Sequence, residues 1–182
     1  VGEPLRYVAH LRAGLDALGR PMPALRLGLA WLERHRPAPP PRSALVHGDF
    51  RNGNLMVGRA GLAAVLDWEL AHRGDPMEDL AWLCLRCWRF GADEREVGGF
   101  GSLAALRAAY EAAGGCFRDD AFGWWTVART VWWALGLAQQ AHAFETGATC
   151  SIVLAASGRR VVELEYDLLT LLDRFSSEPT PD

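Results

Sequence analysis

The sequence contains no lysine, because all 19 of its basic residues are arginine. A catalytic step that depends on an ammonium group therefore cannot be completed by this chain alone. The chain also lacks an excess of positive charge, since its net charge is −3, and this argues against a nucleic-acid-binding surface. No apolar run reaches the length of about 18 residues that a membrane-spanning helix needs, and the first residues do not resemble a signal or transit peptide. These absences predict a cytoplasmic protein that binds neither nucleic acid nor membranes.

Cysteines are also few. Cys84 and Cys87 form a C-x-x-C motif, whereas Cys116 and Cys150 each stand alone. A structural zinc site would need two further ligands at suitable spacing. A redox C-x-x-C normally opens a helix after a strand, and this motif lies inside a predicted helix. We interpret the cysteines as small hydrophobic residues of a core.

Half of the residues are apolar, which suits one domain with a sizeable core. Apolar residues recur at steps of three and four along most of the chain, and this spacing predicts amphipathic helices. The predicted helices cover residues 4–19, 22–36, 75–88, 102–115, 119–144 and 151–175. Strand-like sequence occurs only at residues 45–46, 54–57 and 62–66, after a proline-rich connector. The predicted fold class is mainly α with a small β-hairpin element.

The predicted hairpin brings three polar side chains together. Gly58 and Gly61 suit a tight turn between its strands. If paired residues have numbers that sum to about 121, Asn54 lies opposite Asp67 at the open end of the hairpin. Asp49, in the loop before the first strand, then lies beside them.

An amide oxygen and two carboxylates suit Mg²⁺, which takes few protein ligands and keeps several waters. Asn54 and Asp67 would hold the ion next to phosphate oxygens, which leaves Asp49 to accept a proton from an attacking hydroxyl. Kinase active sites divide these roles in the same way. A single Asp or Asn in a loop more often makes a local turn hydrogen bond, so the prediction depends on the three residues occurring together.

The motif H-G-D-x-x-x-x-N, from His47 to Asn54, resembles the catalytic loop of the aminoglycoside phosphotransferase and choline kinase-like families, relatives of the protein kinases. The sequence VLDWE resembles their second metal-binding segment, and GDPMEDLAW resembles the stretch that follows. The sequence of these segments is most similar to bacterial phosphotransferase family proteins and to the related domains fused to acyl-CoA dehydrogenases. The match extends from Leu45 to Trp88, and it implies the C-terminal lobe of a protein kinase-like fold.

The resemblance implies a role for each matching residue. Asp49 would be the catalytic base, and Asn54 and Asp67 would be Mg²⁺ ligands. His47 would be a structural support of the catalytic loop. Arg51 lies where protein kinases carry a basic residue that meets the γ-phosphate, and it is therefore a candidate contact to phosphate or substrate.

The segment after the hairpin departs from the protein kinases. The sequence D-W-E from Asp67 to Glu69 replaces their D-F-G, so the flipping of that segment is not implied. Glu69 is a further candidate for a group near the metal or substrate. Asp75 and Asp79 are expected to cap and anchor the helix that follows.

Two parts of a phosphotransfer site are missing from the sequence. One is a glycine-rich loop over the nucleotide, and the other is a strand-borne lysine at the α- and β-phosphates. The sequence GGFG at residues 98–101 lies far downstream, and no run of strands precedes Leu45. We therefore interpret residues 1–182 as the C-terminal catalytic lobe of an ATP-dependent kinase whose N-terminal nucleotide-binding lobe is absent from this chain. The lobe alone is expected to bind ATP weakly and to be inactive.

The expected acceptor is a hydroxyl group of a small molecule, because helices after the metal segment form the acceptor wall in the families resembled. Trp124, Trp125, Trp132 and Trp133 recur at steps of seven and eight residues and share a helical face. Such a stripe can cage a choline-like cation, although core packing is the commoner use. An aminoglycoside or a hydroxylated acyl-CoA is an equally open alternative.

Two other kinds of function remain open on the sequence. One is a non-catalytic binding or scaffolding domain with a kinase-like fold, which the presence of Asp49, Asn54 and Asp67 argues against. The other is a metal-dependent hydrolase that uses His47, Asp49 and Asp67. Such an enzyme usually needs further histidine ligands nearby, and His72 is the candidate.

Overall fold

The computed structural model describes residues 4–177, which form two compact units. One unit contains Pro37–Thr126, and the other contains Pro4–Arg36 and residues 127–177. The helices are α1 (Pro4–Ala17), α2 (Pro23–Arg34), α3 (Met77–Cys84), α4 (Leu103–Ala112), α5 (Asp119–Glu145), α6 (Ile152–Ser157) and α7 (Val161–Ser177). The strands are β1 (Ala44–Val46), β2 (Leu55–Gly58), β3 (Gly61–Val65) and β4 (His72–Gly74). The predicted fold class, mainly α with a small hairpin, is confirmed.

The second unit is built from helices whose apolar stripes face each other. The helix α2 packs against both α1 and α7. The stripe of α7 recurs at steps of three and four residues, and it buries Val161, Leu164, Leu168 and Leu172. The predicted single helix over residues 151–175 is wrong in one respect, because a short 3-10 turn at Gly158–Arg160 separates α6 from α7.

The first unit combines two small antiparallel sheets with α3 and α4. In one sheet β1 pairs with β4, so that Val46 lies opposite His72. In the other sheet β2 pairs with β3 around a two-residue turn that closes on Gly58 and Gly61. The predicted hairpin is therefore present, whereas strand β4 was not predicted, because its three residues carry no apolar alternation.

The predicted hairpin register is wrong by one residue. The turn pairs Gly58 with Gly61, so the residue numbers of paired positions sum to less than the predicted value. A bulge between Met56 and Val57 shifts the pairing toward the predicted register but does not reach it. As a result the backbone N–H of Leu66, and not of Asp67, donates to the carbonyl oxygen of Asn54 at 2.8 Å. Asp67 lies one residue beyond the paired position.

Two further local predictions change. The helix predicted over residues 75–88 ends at Cys84, because Leu85 is extended and a 3-10 turn follows. Cys87 therefore lies beyond the helix, whereas Cys84 is buried inside it, and burial raises the pKa of the Cys84 thiol to about 12. A thiol with this pKa is a core residue and not a redox nucleophile.

The tryptophan stripe of α5 serves mainly in packing. Trp124 and Trp125 are fully buried and meet edge to face at 4.9 Å. The guanidinium of Arg129 lies 4.0 Å from the ring centroid of Trp132 and already makes a cation–π contact with that ring. These contacts argue against a cage for a cationic ligand on this helix. Within residues 4–177, no helix combines the length and apolarity needed to cross a bilayer.

Adjacent leucines of α7 provide a test of the second unit's core. Leu168 is completely buried, whereas Leu169 is 44% exposed. We expect Leu168→Ala to lower the free energy of unfolding by about 2–5 kcal/mol, because it leaves a cavity. The matched variant Leu169→Ala is expected to change it by less than about 1 kcal/mol. Urea unfolding followed by circular dichroism measures both, and equal losses would contradict this helix orientation.

Candidate active site

The residues from His47 to Asn54, here called the HGD loop, connect β1 to β2. Gly48 has a φ of +83°, and a β-carbon at this position would lie 2.6 Å from the carbonyl oxygen of Leu70. Glycine is therefore required here for two reasons, since other residues avoid this backbone conformation and any side chain would collide with the segment before β4. This close approach brings the HGD loop against the segment that follows Asp67.

The backbone of the HGD loop is held by Asp79 of α3. Its Oδ2 accepts a hydrogen bond from the backbone N–H of His47 at 2.6 Å, and its Oδ1 accepts one from Gly48 at 2.9 Å. Burial raises the pKa of Asp79, and these two bonds oppose that rise. Asp79 therefore does not cap α3, and it anchors that helix by tying it to the HGD loop. Asp75 does bind at the start of α3, where its Oδ1 accepts from the N–H of Met77 at 3.0 Å.

His47 supports the HGD loop from within. Its Nδ1 accepts the backbone N–H of Asp49 at 3.1 Å, and its Nε2 lies 2.8 Å from the carbonyl oxygen of Leu66. One tautomer, with the proton on Nε2, satisfies both bonds. The side chain is buried, and its ring lies 4.7 Å from the ring of Trp68. His47 thus ties the HGD loop to the strand end that precedes Asp67.

The carboxylate of Asp49 is the convergence point of the loop. Its Oδ1 accepts from the indole Nε1 of Trp82 at 2.8 Å, and its Oδ2 accepts from the amide Nδ2 of Asn54 at 2.7 Å. The Nε of Arg51 donates to both oxygens at 3.1 and 3.2 Å. The Asp49 side chain is 17% exposed, so it is fixed in direction and still reaches the surface.

Asn54 and Asp67 lie at the open end of the hairpin. Asn54 is 6% exposed, and its Nδ2 donates to the backbone carbonyl and the carboxylate of Asp49. Its amide oxygen is consequently the atom left for a metal ion. Asp67 is exposed and has a φ of +65°, a conformation that aspartate tolerates better than most residues. An amide oxygen and a carboxylate form a donor set that fits Mg²⁺.

The remaining candidates differ in their surroundings. The guanidinium of Arg51 lies 4.9 Å from the ring centroid of Trp88 and makes a cation–π contact with that ring. Glu69 is exposed in the turn between Asp67 and β4. Its role remains a prediction.

Sequence reasoning missed two residues that shape this site. Trp82 bonds directly to Asp49, and Asn52 donates from its amide to the carbonyl oxygens of Trp88 and Gly98 at 3.2 and 3.0 Å. A signal for Trp82 was present, because it follows Asp79 by three residues and therefore shares its helix face. Nothing in the local sequence marks the partners of Asn52, which lie far along the chain.

The geometry gives no support to the hydrolase alternative. Both ring nitrogens of His47 are engaged, as described above. The Nδ1 of His72 lies 2.9 Å from the carbonyl oxygen of Leu70, and its Nε2 lies 3.2 Å from the carboxylate of Glu78. Within residues 4–177 there is no cluster of three or more His, Cys, Asp and Glu side chains that could hold a metal ion.

The anchoring role of Asp79 can be tested by replacing its carboxylate with an amide of the same size. Asp79→Asn keeps the size of the side chain but turns an amide N–H donor toward one of the two buried backbone N–H groups that the carboxylate accepts. We expect the free energy of unfolding to fall by about 2 kcal/mol. Asp93→Asn is the matched control, since the Asp93 side chain is 51% exposed and pairs with Arg86 at the surface, and it should cost less than about 1 kcal/mol. Urea titration would refute the anchor if the two losses were equal.

A pH dependence follows from His72. Its hydrogen bond to Glu78 raises the pKa of His72 above the ordinary value of 6.5. The stabilisation is therefore complete below about pH 6.5 and is lost as the pH rises through the higher pKa of the folded state. We expect the urea midpoint of the protein to fall between about pH 6 and pH 9 by more than that of His72→Gln, which cannot titrate here. Parallel pH profiles would contradict this linkage.

Comparison with known proteins agrees with this architecture. A sequence profile of the phosphotransferase enzyme family matches residues 1–125. Mouse acyl-CoA dehydrogenase family member 10 is 47% identical over 66 residues, which cover 35% of this chain and 6% of that protein. The chain thus spans a small part of this curated relative.

Two solved structures share the fold at 23% sequence identity. A candidate aminoglycoside phosphotransferase from Ralstonia eutropha has a TM-score of 0.76, and the alignment covers 93% of this chain and 55% of that one. The macrolide 2′-phosphotransferase of Brachybacterium faecium has a TM-score of 0.56, with 88% and 51% covered. The chain therefore spans about half the length of these structures. Together with the profile match, this shows that the chain belongs to the phosphotransferase enzyme family.

Proposed function

We propose that this chain is the C-terminal catalytic lobe of an ATP-dependent kinase that transfers the γ-phosphate to a hydroxyl of a small molecule. The observation that carries the proposal is the direct bond between Asn54 and Asp49. It joins the proposed proton acceptor to a proposed metal ligand at 2.7 Å, which supports phosphotransfer between a nucleotide and a hydroxyl. Family membership and the kinase-like fold support the same class of reaction.

In this proposal Asn54 and Asp67 hold Mg²⁺ through an amide oxygen and a carboxylate oxygen. The ion, when bound, neutralises the charge on the phosphate oxygens. The fit rests on the orientation of Asn54, whose Nδ2 is committed to Asp49. Glu69, two residues after Asp67, is proposed only as a nearby support for metal or substrate.

Asp49 is the proposed catalytic base. Its carboxylate is held in place by Trp82 and Asn54 and reaches the surface, the side from which an acceptor hydroxyl would approach. His47 supports the loop and takes no part in proton transfer, because both of its ring nitrogens are engaged. Arg51 is the proposed contact to transferred phosphate, as the only charged donor among the described side chains bonded to Asp49.

The proposal includes an N-terminal nucleotide-binding lobe that this chain does not contain. Transfer of a phosphoryl group depends on electrostatic stabilisation by groups that surround its oxygens. The chain has no lysine that could supply such a group. We therefore expect weak binding of ATP and negligible turnover by the 182 residues alone.

The acceptor is proposed to carry a hydroxyl group, and three classes of molecule are candidates. A choline-like cation is the least supported, because Trp124 and Trp125 are buried and Arg129 lies over Trp132. The fold neighbours suggest an antibiotic hydroxyl. The relative among the acyl-CoA dehydrogenase family suggests a hydroxylated acyl-CoA, and its higher local identity favours this class.

A thermal-shift experiment tests the proposed site. Millimolar ATP with Mg²⁺ is expected to raise the melting temperature by about 1–2 °C, as expected for a ligand near its Kd. Asp67→Asn should abolish the rise, whereas Asp93→Asn removes the same charge from another exposed position and should preserve it. Protection that is independent of Mg²⁺ or of Asp67 would refute the metal assignment.

The same experiment separates the alternatives. Protection by Zn²⁺ or Mn²⁺ without nucleotide would favour a hydrolase, and no response to any of these ligands would favour a scaffolding domain. Phosphate transfer above background by the 182-residue chain would contradict the need for a second lobe. In a parent protein that contains both lobes, a panel of hydroxylated acceptors with Asp49→Asn as the control would identify the acceptor class.

A further inference from the structure

The carboxylate of Asp49 has donors on every side. Oδ1 accepts from Trp82 and Arg51, and Oδ2 accepts from Asn54 and Arg51. An ionised carboxylate offers about four lone-pair positions, so these bonds take the positions that an incoming hydroxyl needs. A base in this arrangement must lose one donor before it can accept a proton.

Arg51 is the donor that can leave most easily. Trp82 and Asn54 are buried, with exposed fractions of 1% and 6%, and neither can rotate away without disrupting the core. The Arg51 side chain is 28% exposed. Its single Nε–H is shared between both oxygens at 3.1 and 3.2 Å, whereas the other two bonds are 2.8 and 2.7 Å long. A shared and longer bond is weaker than a direct one.

The position of Arg51 depends on a glycine. A β-carbon on any other residue at position 53 would overlap the Nη1 atom of the Arg51 guanidinium. The ring of Trp88 supports the guanidinium at 4.9 Å from its centroid. Gly53 and Trp88 thus form a seat that holds Arg51 against Asp49.

We propose that Arg51 restrains the base, Asp49, and acts as a switch. Its guanidinium stays bonded to the Asp49 carboxylate until phosphate groups draw it away. Phosphate competes well, because guanidinium forms bidentate, charge-assisted bonds with it. Departure of Arg51 frees a lone pair on each oxygen of Asp49, while Trp82 and Asn54 keep the carboxylate in place. The base therefore becomes available only when the phosphate is bound, which protects the site from unproductive proton transfer. This inference rests on the proposed phosphotransfer function.

Two glycine variants distinguish the loss of the Arg51 seat from a general effect of substituting a glycine. Gly53→Ala places a methyl group against the guanidinium of Arg51. It should displace that guanidinium from Asp49 without changing its charge. Gly58→Ala is the matched control, because no atom lies within 4 Å of the added β-carbon. Both variants retain all charged residues of the chain.

Solvent exchange of the arginine Nε–H groups, measured by NMR on the ¹⁵N-labelled 182-residue chain, reports the restraint. We expect the Arg51 signal to exchange about tenfold more slowly than that of the exposed Arg59, as a charge-assisted hydrogen bond implies. Gly53→Ala should remove this difference, and Gly58→Ala should keep it. Equal exchange of Arg51 and Arg59 in the unsubstituted chain would overturn the proposal, as would slow exchange of Arg51 in folded Gly53→Ala. If Gly53→Ala does not fold, Asp49→Asn replaces it, with the same expected and contradicting results.

Titration with inorganic triphosphate and Mg²⁺ reports the release. We expect the Arg51 signal to shift and its exchange with solvent to change at least severalfold, while the indole N–H signal of Trp82 stays in place. Shifts at Asn54 and Asp67 without any change at Arg51 would overturn the switch and leave the proposed function intact. If the signals of Arg51, Asn54 and Asp67 all stay in place, the result counts against the proposed function and against the movement of Arg51 to bound phosphate. The exchange measurements without phosphate would still decide whether Arg51 restrains Asp49.

Discussion

The geometry of the candidate site depends on the two hydrogen bonds that Asp79 accepts from the backbone of the HGD loop. These bonds satisfy the backbone N–H groups of His47 and Gly48, and both residues are buried. Trp82 follows Asp79 by three residues on α3, so the same helix face reaches the carboxylate of Asp49. One face of a short helix therefore fixes both the path of the loop and the direction of its reactive side chain.

A second set of contacts ties this loop to the hairpin. His47 bonds to the carbonyl oxygen of Leu66, and Asn54 receives the N–H of the same residue at its own carbonyl. Asp67 follows directly, in a backbone conformation that costs on the order of 1 kcal/mol or more for a residue other than glycine. Such a cost is tolerated where surrounding bonds over-determine the backbone, as they do on both sides of this segment.

The sequence allowed the HGD loop, the hairpin turn and most helices to be predicted, because each has a local signal. The H-G-D spacing, the glycine pair at Gly58 and Gly61 and the apolar periodicity all lie within short windows of sequence. Strand β4 and the roles of Asp79 and Asn52 were missed, because their partners are at least 26 residues away along the chain. The hairpin register failed for a different reason, since closure on Gly58 and Gly61 is incompatible with the predicted pairing, and the bulge, which has no marker in the sequence LMVG, corrects the difference only in part.

The approach of Gly48 to the carbonyl of Leu70 sets a distance by repulsion rather than by attraction. Hydrogen bonds and ion pairs weaken when salt is added or when a partner titrates, but hard contact between filled electron shells does neither. The closest possible approach of the loop that carries Asp49 to this segment is consequently the same in dilute buffer and in concentrated salt. Whatever happens to the charges around it, the minimum separation between that loop and the Leu70 segment is a property of atomic size.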